Sequence, residues 1–358
     1  MEGYEALYLH WLSGDIDPRD PLRPNKRFHD KMWIIDGEDE GAARAIVGGL
    51  NLANEYFRVD SAPINRWTDQ DVMLRGPIIE DVVAVFDRNY AFFKELKEKR
   101  PALLNTDNSW KLTGDKLKKI AGAERPSWRR QPLVEAIDEV LTQEAVLEFA
   151  PITARFLQSR PRMKETYIRQ AYDNLIDRAT KTVLIANAYF IPSRGLADHL
   201  KSAARRGVRV VILTNSPETN DIRPVAMVSR HTYRYLLEVN EEEAVRAKAK
   251  QGAGLEIFEW AGAPFDEGTL HAKFLVMDGK EALVGSFNLD PRSERLNSET
   301  AVALRSNELA GQLQRSFEQE LLPKARRISL EAAKQFRKPK GLDDKFELLF
   351  ALPLKNWL

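Results

Sequence analysis

The 358-residue chain contains no cysteine, which removes disulfides, zinc–thiolate sites and thiol nucleophiles from consideration. It leaves the compartment open, because a cysteine-free chain suits reducing and oxidising surroundings alike. Long apolar runs are also missing: no stretch approaches the roughly 20 apolar residues that a spanning helix needs. The opening residues Met1, Glu2, Gly3, Tyr4 and Glu5 lack the basic and apolar regions of a signal peptide. Neither charge is in excess, with 54 basic against 53 acidic residues and a net charge of +1. The basic stripe of a nucleic-acid surface is therefore not evident, and a nucleic-acid partner is not expected. The Gly-x4-Gly-Lys-Ser/Thr pattern of a phosphate-cradling loop is absent. Histidine is scarce, with five in the chain, so the positions of those five carry weight.

Two of them sit in matching surroundings. Leu270, His271, Ala272, Lys273 and the apolar run 274–277 end at Asp278, and Gly285, Ser286, Phe287 and Asn288 follow. Phe28, His29, Asp30, Lys31 and the run 32–35 end at Asp36, and Gly48, Gly49, Leu50 and Asn51 follow. Imidazole and ammonium two residues apart share one face of a strand, and the apolar run has the pattern of a buried strand. One His-x-basic-x4-acid match is expected by chance roughly 0.1 times in such a chain, and two with the same sequel far less often. His10, His199 and His231 have no such company and read as structural or surface residues.

Composition is that of a soluble globular protein, with 43% hydrophobic and 30% charged residues. Strands are expected at 32–36, 45–48, 71–74, 146–149, 182–188, 208–213, 255–258, 282–285 and 300–304. Helices are expected at 79–96, 133–141, 167–178, 195–206, 225–246 and 307–321. In the helix at 79–96, Val82, Val83, Phe86, Tyr90 and Phe93 recur at helical spacing. Alternating helices and strands with buried apolar runs imply an α/β sheet covered by helices on both faces. The repeat divides the chain into a first half at 1–98, a connection at 99–144, a second half at 145–325 and a helical tail at 326–358. Each half runs motif strand, turn, short strand, Gly-x-x-Asn, polar loop, acid, strand and helix. The later acid is Glu299 in the second half and Asp71 in the first, with Asp69 as the alternative. Only 28 residues precede His29, so the first half is expected to lack its opening strands. The tail ends in an apolar segment broken by Pro353, which suits packing on the body or lying on a membrane surface.

Paired histidines, lysines and asparagines suit displacement at a phosphodiester. The ammonium groups of Lys31 and Lys273, with donors from Asn51, Ser286 and Asn288, offset the negative charge that repels a nucleophile. One imidazole can attack phosphorus while the other protonates the leaving oxygen and later deprotonates the incoming hydroxyl. An acid beside each ring would fix its tautomer. Metal binding by the histidines is disfavoured by the neighbouring lysines, and no cofactor is called for.

His-x-Lys-x4-Asp in two copies, each followed by Gly-[Gly/Ser]-x-Asn, resembles the phospholipase D superfamily. The matching positions are His29, Lys31, Asp36, Gly48 and Asn51, then His271, Lys273, Asp278, Gly285, Ser286 and Asn288. The runs 47–57, 189–192, 213–216, 285–293 and 296–299 are similar to the bacterial cardiolipin synthase branch. The resemblance implies two pseudo-twofold-related α-β-α domains sharing one site, metal-independent catalysis and a covalent phosphohistidine. It implies His29 as nucleophile and His271 as general acid/base, with Lys31, Asp36, Lys273 and Asp278 catalytic. Asn51, Ser286 and Asn288 then bind phosphate, with Asp71 and Glu299 in support. The implied substrate is phosphatidylglycerol or a similar phospholipid, with an alcohol or water as acceptor and peripheral membrane contact. The implied location is cytoplasmic or peripheral on the bacterial inner membrane. Two alternatives stay open: a nuclease or other phosphodiesterase of the same superfamily, and a truncated inactive or lipid-binding remnant.

Overall fold

The computed structural model describes residues 28–39, 41–51, 53–57, 66–99, 149–261 and 268–336. The expected helix at 133–141, most of the expected strand at 146–149 and residues 337–358 of the tail lie outside them. In the first half, strands β1 (Met32–Ile35), β2 (Arg44–Gly48) and β3 (Asp71–Leu74) form an antiparallel sheet in that order. The short helix α1 (Asn54–Phe57) follows β2 and the long helix α2 (Ile78–Lys99) follows β3. Strand alternation sends Ala45, Val47, Val72 and Leu74 into the core, while Met73 stays exposed.

Helix α2 turns only part of the expected stripe inward: Val82 is buried and Val83 packs against the same core, but Phe86 and Tyr90 do not follow them. Ile79, Val82 and Val85 are buried, whereas Phe86 and Tyr90 are exposed, their rings stacked at 6.4 Å. The face against the sheet is centred on Ile79, Val82 and Val85, so the expected stripe is shifted around the helix and its large aromatic members Phe86 and Tyr90 fall outside it.

The second half is built on eight strands, β4 (Thr153–Ser159), β5 (Thr182–Asn187), β6 (Arg209–Asn215), β7 (Gly254–Trp260), β8 (Lys273–Met277), β9 (Glu281–Gly285), β10 (Glu299–Arg305) and β11 (Ala325–Ile328). Their order is β11-β7-β6-β5-β8-β9-β10-β4, with β5, β6 and β7 parallel and the other pairs antiparallel. Helices α3 (Tyr167–Arg178), α4 (Arg194–Arg206) and α5 (Arg223–Leu237) cover one face. Helix α6 (Asn307–Arg315) and its continuation through Leu321 cover the other, and α7 (Leu330–Gln335) packs near α5. Ser193 starts α4 by accepting from the Leu196 N–H, and Gly207 ends it at φ 108°, where a side chain would be strained. Three elements differ from expectation. The expected helix at 225–246 stops at Leu237 and continues as short turns. Strand β4 lies at an edge of the sheet beyond Pro151. The boundary expected at 325/326 falls inside β11, which pairs with β7.

Alternation within β5 shows how the halves join. Val183 and Ile185 face the cluster of α3, α4 and α5. Leu184 and Ala186 face a second cluster that contains Phe274, Val284 and Phe317. Ala45, Val47, Val72, Leu74, Ile79 and Val82 of the first half belong to that same cluster. The two halves thus share one core. Burial of each such branched side chain contributes about 1.5–3 kcal/mol. Two backbone bridges tie the motif segments across the halves, Phe28 to Ser298 and Thr68 to Leu270. Among the described residues no helix is long and apolar enough to cross a membrane.

Candidate active site

The two bridges set the site. The His29 N–H donates to the Ser298 carbonyl at 2.9 Å, one residue before Glu299. The His271 N–H donates to the Thr68 carbonyl at 2.7 Å, one residue before Asp69. Each motif therefore lies beside the acid of the other half. Nδ1–H of His29 donates to Oε2 of Glu299 at 2.8 Å, and Nδ1–H of His271 donates to Oδ2 of Asp69 at 2.7 Å. This leaves Nε2 of each ring as the nitrogen not committed to its acid.

Glu299 is fully buried and also accepts from Ser286 Oγ at 2.5 Å, Ser293 Oγ at 2.8 Å and Asn297 Nδ2 at 3.2 Å. Burial opposes its ionisation, but His29, Lys31 and Ser286 together hold its carboxyl below the usual carboxylate range. Asp69 accepts from the Gln70 N–H at 2.8 Å, and burial pushes its carboxyl up. Burial also lowers the proton affinity of His29, opposed by Glu299, and that of His271 further still, aided by Lys273, Lys31 and His29.

The two lysines repeat one geometry. Lys31 Nζ donates to the His29 carbonyl at 3.3 Å, and Lys273 Nζ donates to the His271 carbonyl. Both are buried, at 6% and 1% exposure. Desolvation lowers Lys31 to about 8 and Lys273 to about 7. A bound anion would reverse that penalty, as it supplies the countercharge that burial removes.

The expected phosphate-binding residues divide. Asn51 lies in the site, its Nδ2 donating to the Tyr56 hydroxyl at 2.7 Å. Asn288 is buried, and among the described residues its Oδ1 has no hydrogen-bond partner. The Ser286 hydroxyl instead serves Glu299 and accepts from the Thr300 N–H at 3.0 Å. In the first half Gly49 stands at that position, and a Cβ there would fall 2.3 Å from Oδ1 of Asp69. The acid itself fills the space that the serine side chain takes in the other copy.

Three expected residues lie elsewhere. Asp36 and Asp278 are seven positions after their histidines, an odd number, so they neither share the catalytic face nor lie near it. Both close a strand in the left-handed region, at φ 50° and 53°. Asp278 accepts from the N–H groups of Thr180, Lys181 and Thr182 and from Thr180 Oγ1. The motif acids thus shape hairpins and do not reach the histidines. Asp71 accepts from the Leu50 N–H at 3.2 Å and packs against Gly48, so it braces the loop that carries Asn51. Asp69, the alternative, takes the place beside the imidazole.

Sequence reasoning missed two aromatic residues. The Tyr56 hydroxyl lies 3.3 Å from Nε2 of His271, and the Trp67 ring lies 5.0 Å from the imidazole at 37°. Trp67 is two residues before Asp69, the one signal that could have flagged it. The Tyr189 hydroxyl donates to the exposed Asp221 at 2.7 Å, and Asp221 acts electrostatically on Lys273. Among the described residues no group of three or more His, Asp or Glu is placed to hold a metal ion.

Residues 172–321 match the family model described as cardiolipin synthase, phospholipase D-like domain. Cardiolipin synthase C of Escherichia coli K12 is 28% identical over 322 residues, covering 86% of this chain and 65% of its own. Cardiolipin synthase of Geobacillus thermodenitrificans is 25% identical over 317 residues, covering 88% of this chain and 49% of its own. The chain therefore spans about half to two thirds of the length of these curated relatives. The crystal structure of phosphatidylserine synthase from Haemophilus influenzae superposes with a TM-score of 0.57 at 17% identity, over 92% of this chain and 71% of that one. That likeness is one of fold. Over residues 172–321, which contain the second motif copy, the chain is thus similar to the phospholipase D-like domain of cardiolipin synthases.

Proposed function

We propose that the chain transfers a phosphatidyl group between phospholipids, or from a phospholipid to water, through a phosphohistidine. The observation that carries this reading is a single buried cluster holding two acid–imidazole–lysine sets, one motif from each half. The halves at 1–98 and 145–325 act as two lobes of one catalytic unit.

In the first step Nε2 of His29 attacks phosphorus, and the bond to the leaving glycerol oxygen breaks. His271 gives its Nε2 proton to that oxygen. In the second step an alcohol or water loses its proton to His271 and attacks phosphorus, and the phosphorus–nitrogen bond breaks. Exposure favours these roles, since the His29 side chain is 23% exposed and that of His271 5%. The substrate phosphate neutralises Lys31 and Lys273 and so relieves part of the depression on His271, which lets it carry the proton that the first step requires. Lys31, Lys273, Asn51 and Asn288 hold the non-bridging oxygens, where charge gathers in the transition state.

Two exposed apolar residues adjoin site residues in sequence and suit a phospholipid substrate. Phe57 and Ile222 follow Tyr56 and Asp221 in sequence and are 47% and 45% exposed. Peripheral membrane contact through such residues brings the headgroup to the histidines. The test is incubation with phosphatidylglycerol vesicles in the presence of EDTA. Cardiolipin or phosphatidic acid is the expected product, and His29→Ala and His271→Ala each abolish it. Full activity in either variant overturns the two-histidine mechanism.

A further inference from the structure

Asp30 stands between His29 and Lys31, where the second copy has Ala272. Its carboxylate is buried and receives three donors. Ser298 Oγ donates to Oδ1 at 2.7 Å, Asn89 Nδ2 to Oδ2 at 3.0 Å and Gln158 Nε2 to Oδ2 at 2.5 Å. Gln158 is itself held by Arg88, whose Nη2 donates to Oε1 at 3.1 Å. The donors come from α2, β4 and the segment leading into β10, so one side chain joins the first half to two parts of the second.

Ser298 is gripped twice. Its carbonyl accepts from the His29 N–H, and its hydroxyl is fixed by Asp30. The next residue is Glu299, which orients the His29 ring. In the second copy Ala272 has no side-chain acceptor, and Thr68, the residue before Asp69, is held among the described residues by backbone bonds alone. Its carbonyl accepts from the His271 and Ala272 N–H groups at 2.7 and 3.2 Å, and its N–H donates to the Thr269 carbonyl at 2.9 Å. Strand β8 of that copy is paired on both edges, to β5 and β9. Among the described residues β1 is paired on one edge only, to β2. A motif strand with one ladder has less to fix it than one with two.

We propose that Asp30 is a positioning residue, a clamp on Ser298 that sets Glu299 against His29 in place of a second strand neighbour. An acceptor-only group is suited to this, since all three partners point donors at it. Those donors offset part of the burial which, with the nearby Glu299 charge, raises its carboxyl to about 6. Asp30 does not touch the reacting atoms.

The test uses the full chain with Asp30→Ala and Asp30→Asn. The kinetic readings rest on the two-histidine function proposed above, whereas imidazole titration by NMR does not. With alanine, the His29 ring is expected to titrate at least about half a pH unit lower as Glu299 withdraws, while His271 stays where it was. The kcat on a soluble phosphodiester is expected to fall about 10- to 100-fold, with KM within about threefold. Asparagine keeps an oxygen for Asn89 and Gln158 and a nitrogen for Ser298, so it is expected to restore both readings. If Asp30→Ala does not fold, Ser298→Ala breaks the same contact from the other side and should move His29 in the same direction. Unchanged titration of His29 in a folded alanine variant overturns the clamp. So does asparagine behaving like alanine, which would assign the effect to charge. A wild-type chain inactive on every phosphodiester would count against the proposed function and leave the titration to decide the clamp.

Discussion

Nδ1 of His29 lies 2.8 Å from Oε2 of Glu299, a residue 270 positions further along the chain. The same exchange runs the other way between His271 and Asp69. Neither motif histidine is paired with an acid of its own half, so the site exists only where the halves meet.

The exchange gives the first prediction. Glu299→Gln and Asp69→Asn keep the shape of each pair but remove the charge that fixes the tautomer and stabilises the imidazolium. Each is expected to lower kcat by about 100- to 10,000-fold, with smaller effects on KM. Steady-state kinetics on a soluble phosphodiester measure both. A loss in only one variant would show that only one ring changes protonation in the rate-limiting step.

A second prediction separates the motif acids from the chemistry. Asp278 accepts from three backbone N–H groups and a hydroxyl, far from His271. Burial opposes its ionisation, but these donors outweigh it and hold the carboxyl below its ordinary 3.8. Its contribution to stability is therefore present above that value and lost as pH falls through the depressed one. Asp278→Ala is expected to destabilise by about 1–2 kcal/mol, a modest figure because the site is partly exposed. Activity per folded molecule should stay within about threefold of wild type. A loss comparable to that of His271→Ala would return Asp278 to the catalytic set.

Much of this was legible in the sequence where the chain obeys a single period. Strand β3 at Asp71–Leu74 and helix α3 at Tyr167–Arg178 fall where their patterns place them. The histidine–lysine pairs are likewise visible in the double motif. What escaped depends on partners far away in sequence. Period two relates Asp69 and Asp71 equally to a strand face, and only the bridge from Thr68 to Leu270 puts Asp69 at the imidazole. Val82, Phe86 and Tyr90 share one apolar stripe in the sequence, and only the sheet, which takes Ile79, Val82 and Val85, decides that the two aromatic rings stay outside. Strand β4 is an edge strand with mixed polarity, and its order comes from pairing with β10. Asp30 reads as an ordinary polar residue until Asn89, Gln158 and Ser298 surround it.

The buried lysines give a third prediction, on the pH dependence of stability without substrate. Folding lowers Lys31 to about 8 and Lys273 to about 7 from an ordinary 10.5, chiefly by desolvation. Between those values the unfolded chain binds more protons than the folded one, so this contribution makes stability rise with pH from about 7 towards 10. Denaturant midpoints at pH 6.5, 8 and 9.5 should therefore show a rise in the wild type that Lys31→Met and Lys273→Met flatten. Inorganic phosphate should stabilise most at the acid end of the range, where both ammonium groups are charged. A wild-type profile that the two substitutions leave unaltered would contradict the desolvated state of the pair.

Gly49 and Ser286 give the last prediction, because equivalent positions in the repeat are not interchangeable. A Cβ at residue 49 would fall 2.3 Å from Oδ1 and 2.6 Å from Oδ2 of Asp69. Gly49→Ala must therefore push Asp69 off the His271 ring, although the backbone there has no need of glycine's left-handed region. The expected result is a loss of kcat approaching that of Asp69→Asn. Ser286→Ala acts differently, since it removes one of four donors to Glu299 and leaves His29 in contact. Its cost should be about tenfold in kcat, near the lower bound for a single supporting hydrogen bond. Combining each with its acid variant tests the argument. Gly49→Ala should add little to Asp69→Asn, and Ser286→Ala little to Glu299→Gln, because each side-chain change acts on its imidazole chiefly through that acid. Full additivity in either pair would place the glycine or serine in direct contact with substrate.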